Sequence, residues 1–225
     1  LNVLEFATSL SNLKRMVHVS SGSVYAQNGP SDRALRENEF VMPEGLYGIS
    51  KFSGEAFCRF CAEEFKVPAC VIRLSGVYGP MDRVTPTRDV HCAPKIIAQS
   101  ASTGEPLRVR SLDAVGDFIN AEDVGRAIIG LLVSCSLKHD VYNVASGQVN
   151  TIGELVEIAR EKRPGLKVRE TDSLPLDIDY DPTQVLGRWG AYDISRIRQE
   201  TGWTPRPLRE AFHSYMDWLD SFELN

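Results

Sequence analysis

Two short apolar runs, RMVHVS at 15–20 and ACVIRL at 69–74, bracket a long helical pattern over residues 47–66. Uninterrupted apolar runs of this length mark strands covered on both faces, and such strands belong to parallel sheets. A strand, a helix and a second strand in that order imply a right-handed crossover, so the chain is expected to be α/β. The alternation continues beyond Pro80. A helix is expected from about 91 to 103, a short strand at LRV, a strand end feeding a helix across DFINAEDVGRAIIGLLVSC, and another strand in DVYNVAS. Thr151 precedes IGELVEIAREK, with Glu154 three residues on, which is the pattern of a capping box. A helix near 193–200 and an amphipathic one over 207–222 complete the reading. A polar loop follows the first strand and holds Gly22, Gly29, Pro30 and Pro43.

A chain of 225 residues, 43% of them hydrophobic, can bury a sizeable core in one large domain. The net charge is -5 and Lys and Arg form no tract, which argues against nucleic acid as a partner. No apolar stretch approaches a membrane span and the first residues do not resemble a signal peptide, so no membrane partner and a cytoplasmic address are expected. Among Cys58, Cys61, Cys70, Cys92 and Cys135 only the first two form a C-x-x-C pair. Nothing completes a zinc site, no metal is expected, and all five read as reduced thiols in a packed interior. His18, His91, His139 and His213 are scattered and read as structural or surface residues.

The helical pattern opens on Tyr47 and Lys51. Four residues apart on a helix, a phenol and an ammonium rise from one face and share a site. Taken alone the spacing is a weak signal. Its context strengthens it, because VHVSSGSVY lies upstream at a strand end, where sites in open α/β sheets form. A nearby ammonium favours the phenolate and is expected to bring the tyrosine towards neutrality from its usual value near 10. Tyr47 then exchanges a proton with a substrate oxygen that Ser21 holds by a hydrogen bond. Hydride exchange with a nicotinamide completes a redox reaction, and Lys51 is placed to bond the cofactor's ribose.

HVSSGSVY, YGISK, RLSGVYGP, DFINAEDVGRAI, YNVASG and YDISRIRQETGWTP occur in the order seen in the extended short-chain dehydrogenase/reductases, the NAD-dependent epimerase/dehydratase family, and the chain resembles that family over nearly its whole length. The resemblance implies a Rossmann-like doubly wound parallel sheet, without its N-terminal part, and a smaller α+β C-terminal substrate lobe. It divides the chain into 1–79 and 117–145 for the Rossmann-type domain, with 80–116 and 146–225 mainly in the substrate lobe. Carried over by position, Ser21, Tyr47 and Lys51 match the catalytic triad, while Ser20, Tyr47, Lys51, Val77 and Tyr78 match the surroundings of NAD or NADP. Ser21, Ser23, Gly76 and Arg188 are the expected substrate contacts, and a homodimer is expected through the catalytic helix and its predecessor.

The family's glycine-rich turn, whose N–H groups receive the pyrophosphate, has no counterpart in the sequence. The chain therefore reads as part of a longer protein, with about the first third of the domain absent, rather than as a natural short form. Dehydratases of the family carry an acidic pair where this chain has Gly22 and Ser23, which disfavours elimination. Nucleotide-sugar epimerases commonly carry an asparagine at the position of Gly76 and an arginine at that of Gly116. Arg83, Arg88, Arg108, Arg110 and Arg188 are the candidates to replace the lost phosphate contacts, with Arg188 preferred. Three readings stay open: an NAD(P)-dependent sugar or nucleotide-sugar epimerase, a dehydrogenase or reductase of a smaller sugar, uronate or aldehyde, and a non-catalytic binding protein on the same fold.

Overall fold

The two apolar runs form the parallel pair that their composition predicts. In the computed structural model, which describes residues 1–25, 33–82, 92–183 and 190–223, β1 (Met16–Ser21) pairs in register with β2 (Ala69–Leu74), from Met16 opposite Ala69 to Ser21 opposite Leu74. β7 (Val141–Val144) joins the far side of β2, again in parallel, so β2 is the central strand of three. Its interior residues Cys70 to Arg73 are buried, as a strand covered on both faces requires.

The crossover between β1 and β2 is α2 (Gly45–Glu64), preceded in the chain by α1 (Asn2–Ser9). The helix ends two residues before the expected boundary because Lys66 turns into the left-handed region at φ 56. That turn is usually made by glycine, so a lysine there gives no warning in the sequence. β3 (Gly76–Tyr78) pairs in parallel with β6 (Phe118–Asn120), which feeds α4 (Ala121–Val133). Asn120 caps α4 by accepting from the Glu122 N–H.

Beyond the sheet lie α3 (Ala93–Thr103), β4 (Leu107–Val109) and β5 (Val115–Gly116). β8 (Asn150–Thr151) pairs antiparallel with β5 and leads into α5 (Ile152–Lys162). The capping box is formed in full: Thr151 Oγ1 accepts from Glu154 N–H, and Glu154 accepts from Thr151 N–H, each at 2.9 Å. β9 (Val168–Glu170) pairs with β4, and α6 (Ser195–Thr201) and α7 (Leu208–Glu223) end the described chain.

Two large apolar cores result. One joins α3, α5 and α7 through Ile97, Leu155, Phe212 and Met216. The other lies against the sheet and holds Ile72, Leu131, Tyr142, Ile197 and Trp203, so the α6 segment returns to the sheet side. Four of the cysteines are buried free thiols as expected, but Cys135 is exposed just after α4. Burial pushes the Cys58 and Cys70 thiols up to about 11, which keeps both protonated. Among the described residues no cluster of His, Cys, Asp or Glu is arranged to hold a metal, and no helix is long and apolar enough to cross a membrane.

Candidate functional site

β1 delivers Ser21 to the end of the sheet, where a single 3₁₀ turn, Gly22–Val24, begins. The Ser21 hydroxyl caps this turn, accepting from Ser23 N–H at 3.2 Å and from Ser23 Oγ at 3.0 Å. α2 starts against the same turn. A Cβ on Gly48 would stand 2.7 Å from the Ser23 carbonyl, so only glycine permits the approach. Lys51 Nζ donates to the Val19 carbonyl at 3.2 Å and lies 5.7 Å from the centre of the Tyr47 ring. Tyr47, Lys51 and the Ser21 turn are thus gathered at one end of β1. Tyr47 is 60% exposed.

A buried ion pair sets the position of α2. Glu55, one helical turn beyond Lys51, receives Arg73 of β2 at 2.7 Å, and the Ser20 hydroxyl of β1 donates to the same carboxylate. The Arg73 guanidinium also donates to the Glu37 carbonyl at 3.2 Å and lies over the Tyr25 ring, 4.8 Å from its centre. A buried charge pair of this kind is tolerated only when its remaining hydrogen bonds are made, and here they tie α2 to both strands. Burial raises the Tyr25 phenol to about 12, and it donates to Asn143 Oδ1 at 2.6 Å on β7.

Beside the turn opens a cleft of about 220 Å³. Its lining includes the hydroxyl residues Ser21, Ser23, Ser75 and Tyr192, and Leu74, Val115 and Phe118 supply apolar surface. Gly76 and Gly116 line it as well. A Cβ on Gly116 would meet Phe118 Cζ at 2.6 Å, and one on Gly76 would lie 3.1 Å from the same ring, so Phe118 fills the room that larger residues would need. At the base, Asp117 accepts five hydrogen bonds, from Ser75 Oγ, Ser146 N–H and Oγ, Gly147 N–H and Tyr192 N–H. Burial pushes its carboxyl upward from the ordinary value, and the bonds from Ser146, Tyr192 and Ser75 pull against that shift.

The expected residues do not all meet. Ser21, Ser23 and Gly76 share the cleft, while Tyr47 and Lys51 stand beside it on α2. Ser20 turns inward to Glu55, and Tyr78 is buried edge-on against Phe212 and Tyr215, so neither side chain faces the cleft. Val77 packs against the sheet core. Arg108 and Arg110 are engaged elsewhere, Arg108 with the Ser173 carbonyl and Arg110 with Asp172 and Asp179. Arg83, Arg88, His91 and Arg188 lie outside the described residues. Asp117, Phe118, Tyr180 and Tyr192 are cleft residues that sequence reasoning does not single out, although Asp117, Phe118 and Tyr192 fall in segments that carry the resemblance.

A sequence profile described as the NAD dependent epimerase/dehydratase family matches residues 1–145. The dTDP-4-dehydro-6-deoxyglucose reductase of Escherichia coli is 28% identical over 191 residues, covering 83% of this chain and 54% of its own length. The chain therefore spans about half of that relative. Among solved structures, UDP-glucose 4-epimerase of Thermotoga maritima, with UDP-glucose, superposes with a TM-score of 0.77 at 23% identity, covering 98% of this chain and 67% of that one. A GalE-like L-threonine dehydrogenase from Cupriavidus necator superposes with a TM-score of 0.78 at 25% identity, covering 97% and 76%. With the profile covering more than half its length and the same α/β framework beneath it, the chain belongs to the NAD-dependent epimerase/dehydratase family.

Proposed function

We propose that this chain carries the catalytic groups of an NAD(P)-dependent sugar or nucleotide-sugar epimerase. The observation that carries the reading is the placement of Lys51, bonded to the Val19 carbonyl two residues before Ser21 and lying beside the Tyr47 ring. Ser21 holds the reacting oxygen of the substrate by a hydrogen bond. Tyr47 takes the proton from that oxygen and later returns it, and the Lys51 ammonium stabilises the negative charge on the phenol oxygen in between. The residues at this rim suit the nicotinamide end of the cofactor, because Lys51 has donors beyond its bond to Val19 and Tyr47 is open to solvent. NAD or NADP, when bound, supplies the hydride acceptor and donor. Residues 1–79 with 117–145 belong to the domain that binds it, whose glycine-rich turn has no counterpart in this sequence.

A second reading, a net dehydrogenase or reductase of a smaller sugar, uronate or aldehyde, is favoured by the cleft itself. Gly76 and Gly116 lie under Phe118 with no room for the larger residues common in nucleotide-sugar epimerases. The likeness to an L-threonine dehydrogenase points the same way. A homodimer is part of both readings, since α1 exposes Val3 and Phe6 and α2 exposes Phe57 and Phe60. Phe60→Glu in the full-length protein should lower its sedimentation coefficient to that of a monomer.

The deciding experiment offers the full-length protein NAD or NADP with UDP-glucose, UDP-galactose, UDP-glucuronate, galacturonate and L-threonine. Isomer interconversion without lasting change in nicotinamide absorbance supports epimerisation, and a lasting change supports net redox. Neither change with any compound supports the binding role. Tyr47→Phe should lower turnover by about 10²–10⁴-fold while leaving the fold intact. A variant that keeps the wild-type rate removes Tyr47 from the mechanism.

A further inference from the structure

The floor of the cleft has a chemistry that the proposed proton transfer does not use. Ser21 and Leu74 are register partners on adjacent parallel strands, so their Cα atoms stand about 4.8 Å apart and their side chains leave the same face of the sheet. Two residues on, Gly76 is the register partner of Phe118. Leu74, Gly76 and Phe118 all line the cleft with Ser21. The surface that begins beside the serine is therefore apolar.

Phe118 closes that surface. A Cβ on Gly116 would stand 2.6 Å from its Cζ and 3.1 Å from both Cε atoms, and one on Gly76 would stand 3.1 Å from its Cδ1. The ring thus spans the space between the two glycines, its tip against Gly116 and its side against Gly76. It is 3% exposed and packs into the core that also holds Ile97 and Phe212. Gly76 N–H donates to the Asp117 carbonyl at 3.0 Å, so the one backbone donor of that glycine is already engaged. Among the described residues no lysine or arginine lines the cleft. A hydroxyl set on this floor loses water without gaining a partner, and a carboxylate loses more. A methyl group there only gains, by leaving water for the ring.

We propose that Phe118 is a specificity-determining residue. With the substrate oxygen on Ser21, the floor of Leu74, Gly76 and Phe118 receives a methyl group carried by the reacting carbon or by the carbon next to it. The substrate class is thereby narrowed to methyl-bearing secondary alcohols and their ketones, over counterparts with a hydroxymethyl or carboxylate group at that place. The inference rests on the role given to Ser21 above, and it applies to epimerisation and to net redox alike.

The test uses the full-length protein with NAD or NADP, in wild type, Phe118→Leu and Tyr47→Phe. UDP-glucose and UDP-galactose are compared with their 6-deoxy forms, which carry methyl, and with forms one carbon longer, which carry ethyl. UDP-glucuronate supplies the carboxylate, and L-serine, L-threonine and the ethyl homologue of threonine repeat the series on an open chain. Turnover gives kcat/KM, and calorimetry with the nicotinamide bound gives Kd where there is no turnover. Wild type should prefer methyl over hydroxymethyl and over ethyl by about tenfold or more, with the carboxylate weakest. Phe118→Leu, which opens room at the floor, should bring ethyl to within about threefold of methyl. Wild type that handles methyl and hydroxymethyl forms equally, or prefers the carboxylate, overturns the proposal without any variant. So does a folded Phe118→Leu that weakens every form alike, the mark of a purely structural role. If Phe118→Leu does not fold, the wild-type order decides alone. If Tyr47→Phe abolishes turnover and wild type shows no methyl preference, only this inference fails. If Tyr47→Phe keeps its rate and the preference is present, only the acid/base reading fails. Wild type that neither binds nor turns over any of these compounds overturns both.

Discussion

The base of the cleft and its rim are built on opposite terms. At the base, Asp117 is 3% exposed and accepts five hydrogen bonds, and the neighbouring Glu55–Arg73 pair is closed off by Ser20 and the Glu37 carbonyl. At the rim, Tyr47 is 60% exposed and Leu46 is 88% exposed, and among the described residues the Lys51 ammonium donates to the Val19 carbonyl. Polar groups in the first region are fixed by burial, since each would be costly to leave unsatisfied. Those in the second are placed by the helix that carries them. In the proposed mechanism proton transfer falls to side chains that the solvent reaches, and their precision is borrowed from an interior network one or two helical turns away.

If that contrast holds, damage to the interior should disturb the rim. Glu55→Ala leaves Arg73 buried without its counterion, and the expected loss is about 3–5 kcal/mol of stability, read as a fall in the urea midpoint. Turnover should fall with it even where the variant remains folded, because the anchor of α2 is gone. Unchanged turnover in folded Glu55→Ala would separate the two regions and contradict the account. Gly48→Ala probes the reverse case. The added methyl must push α2 away from the Ser23 carbonyl, and a displacement of this kind costs about 10²-fold in kcat/KM. The gain in helix propensity, about 1 kcal/mol, should hold stability near that of wild type.

Smaller effects sharpen the boundary. Thr151 caps α5 and pairs with Val115 at the cleft wall, so Thr151→Ala should lower stability by about 1 kcal/mol with little change in KM. Thermal unfolding and steady-state kinetics on one preparation check both halves of that statement. The smallest effect concerns His18, which lies beneath α2 with its Nε2 2.6 Å from where a Cβ on Gly54 would stand. Burial, followed by the charge of Lys51, lowers its pKa from 6.5, against an opposing pull from Glu55. The unfolded chain therefore binds the proton first as pH falls, so the stabilising contribution is complete above 6.5 and is lost as pH drops through the folded value. His18→Gln should flatten the decline in unfolding midpoint between pH 7.5 and about pH 5.5. An identical slope in wild type and variant would remove His18 from the acid response.

Legibility in the sequence followed the same division. The capping box at Thr151 and the helix after Asn120 were readable because each depends on neighbours within a few positions, and the parallel crossover because each of its two strands is itself a short apolar run. Asp117 was not, since its donors come from Ser75, Ser146, Gly147 and Tyr192, and a lone aspartate carries no sign of partners brought from three other segments. Ser20 shows the limit of reading by position. It sits beside Ser21 in the chain, yet the alternation of a strand sends its side chain to the opposite face, into the ion pair. The residue type of Cys135 predicts burial, and the chain leaves it exposed just after α4.

The register of the central sheet also biases the order of assembly. β1, α2 and β2 are contiguous, but β7 reaches its partner across the long interval from Val71 to Val141. β1 meets β2 across the shorter interval from Met16 to Ala69, so loop closure favours the crossover unit slightly, by a few tenths of a kcal/mol, on the order expected from the logarithmic length dependence. Pulse-labelling during refolding should therefore find amides of β1 protected before those of β7. The strand that delivers Ser21 is expected to be settled before the sheet is complete.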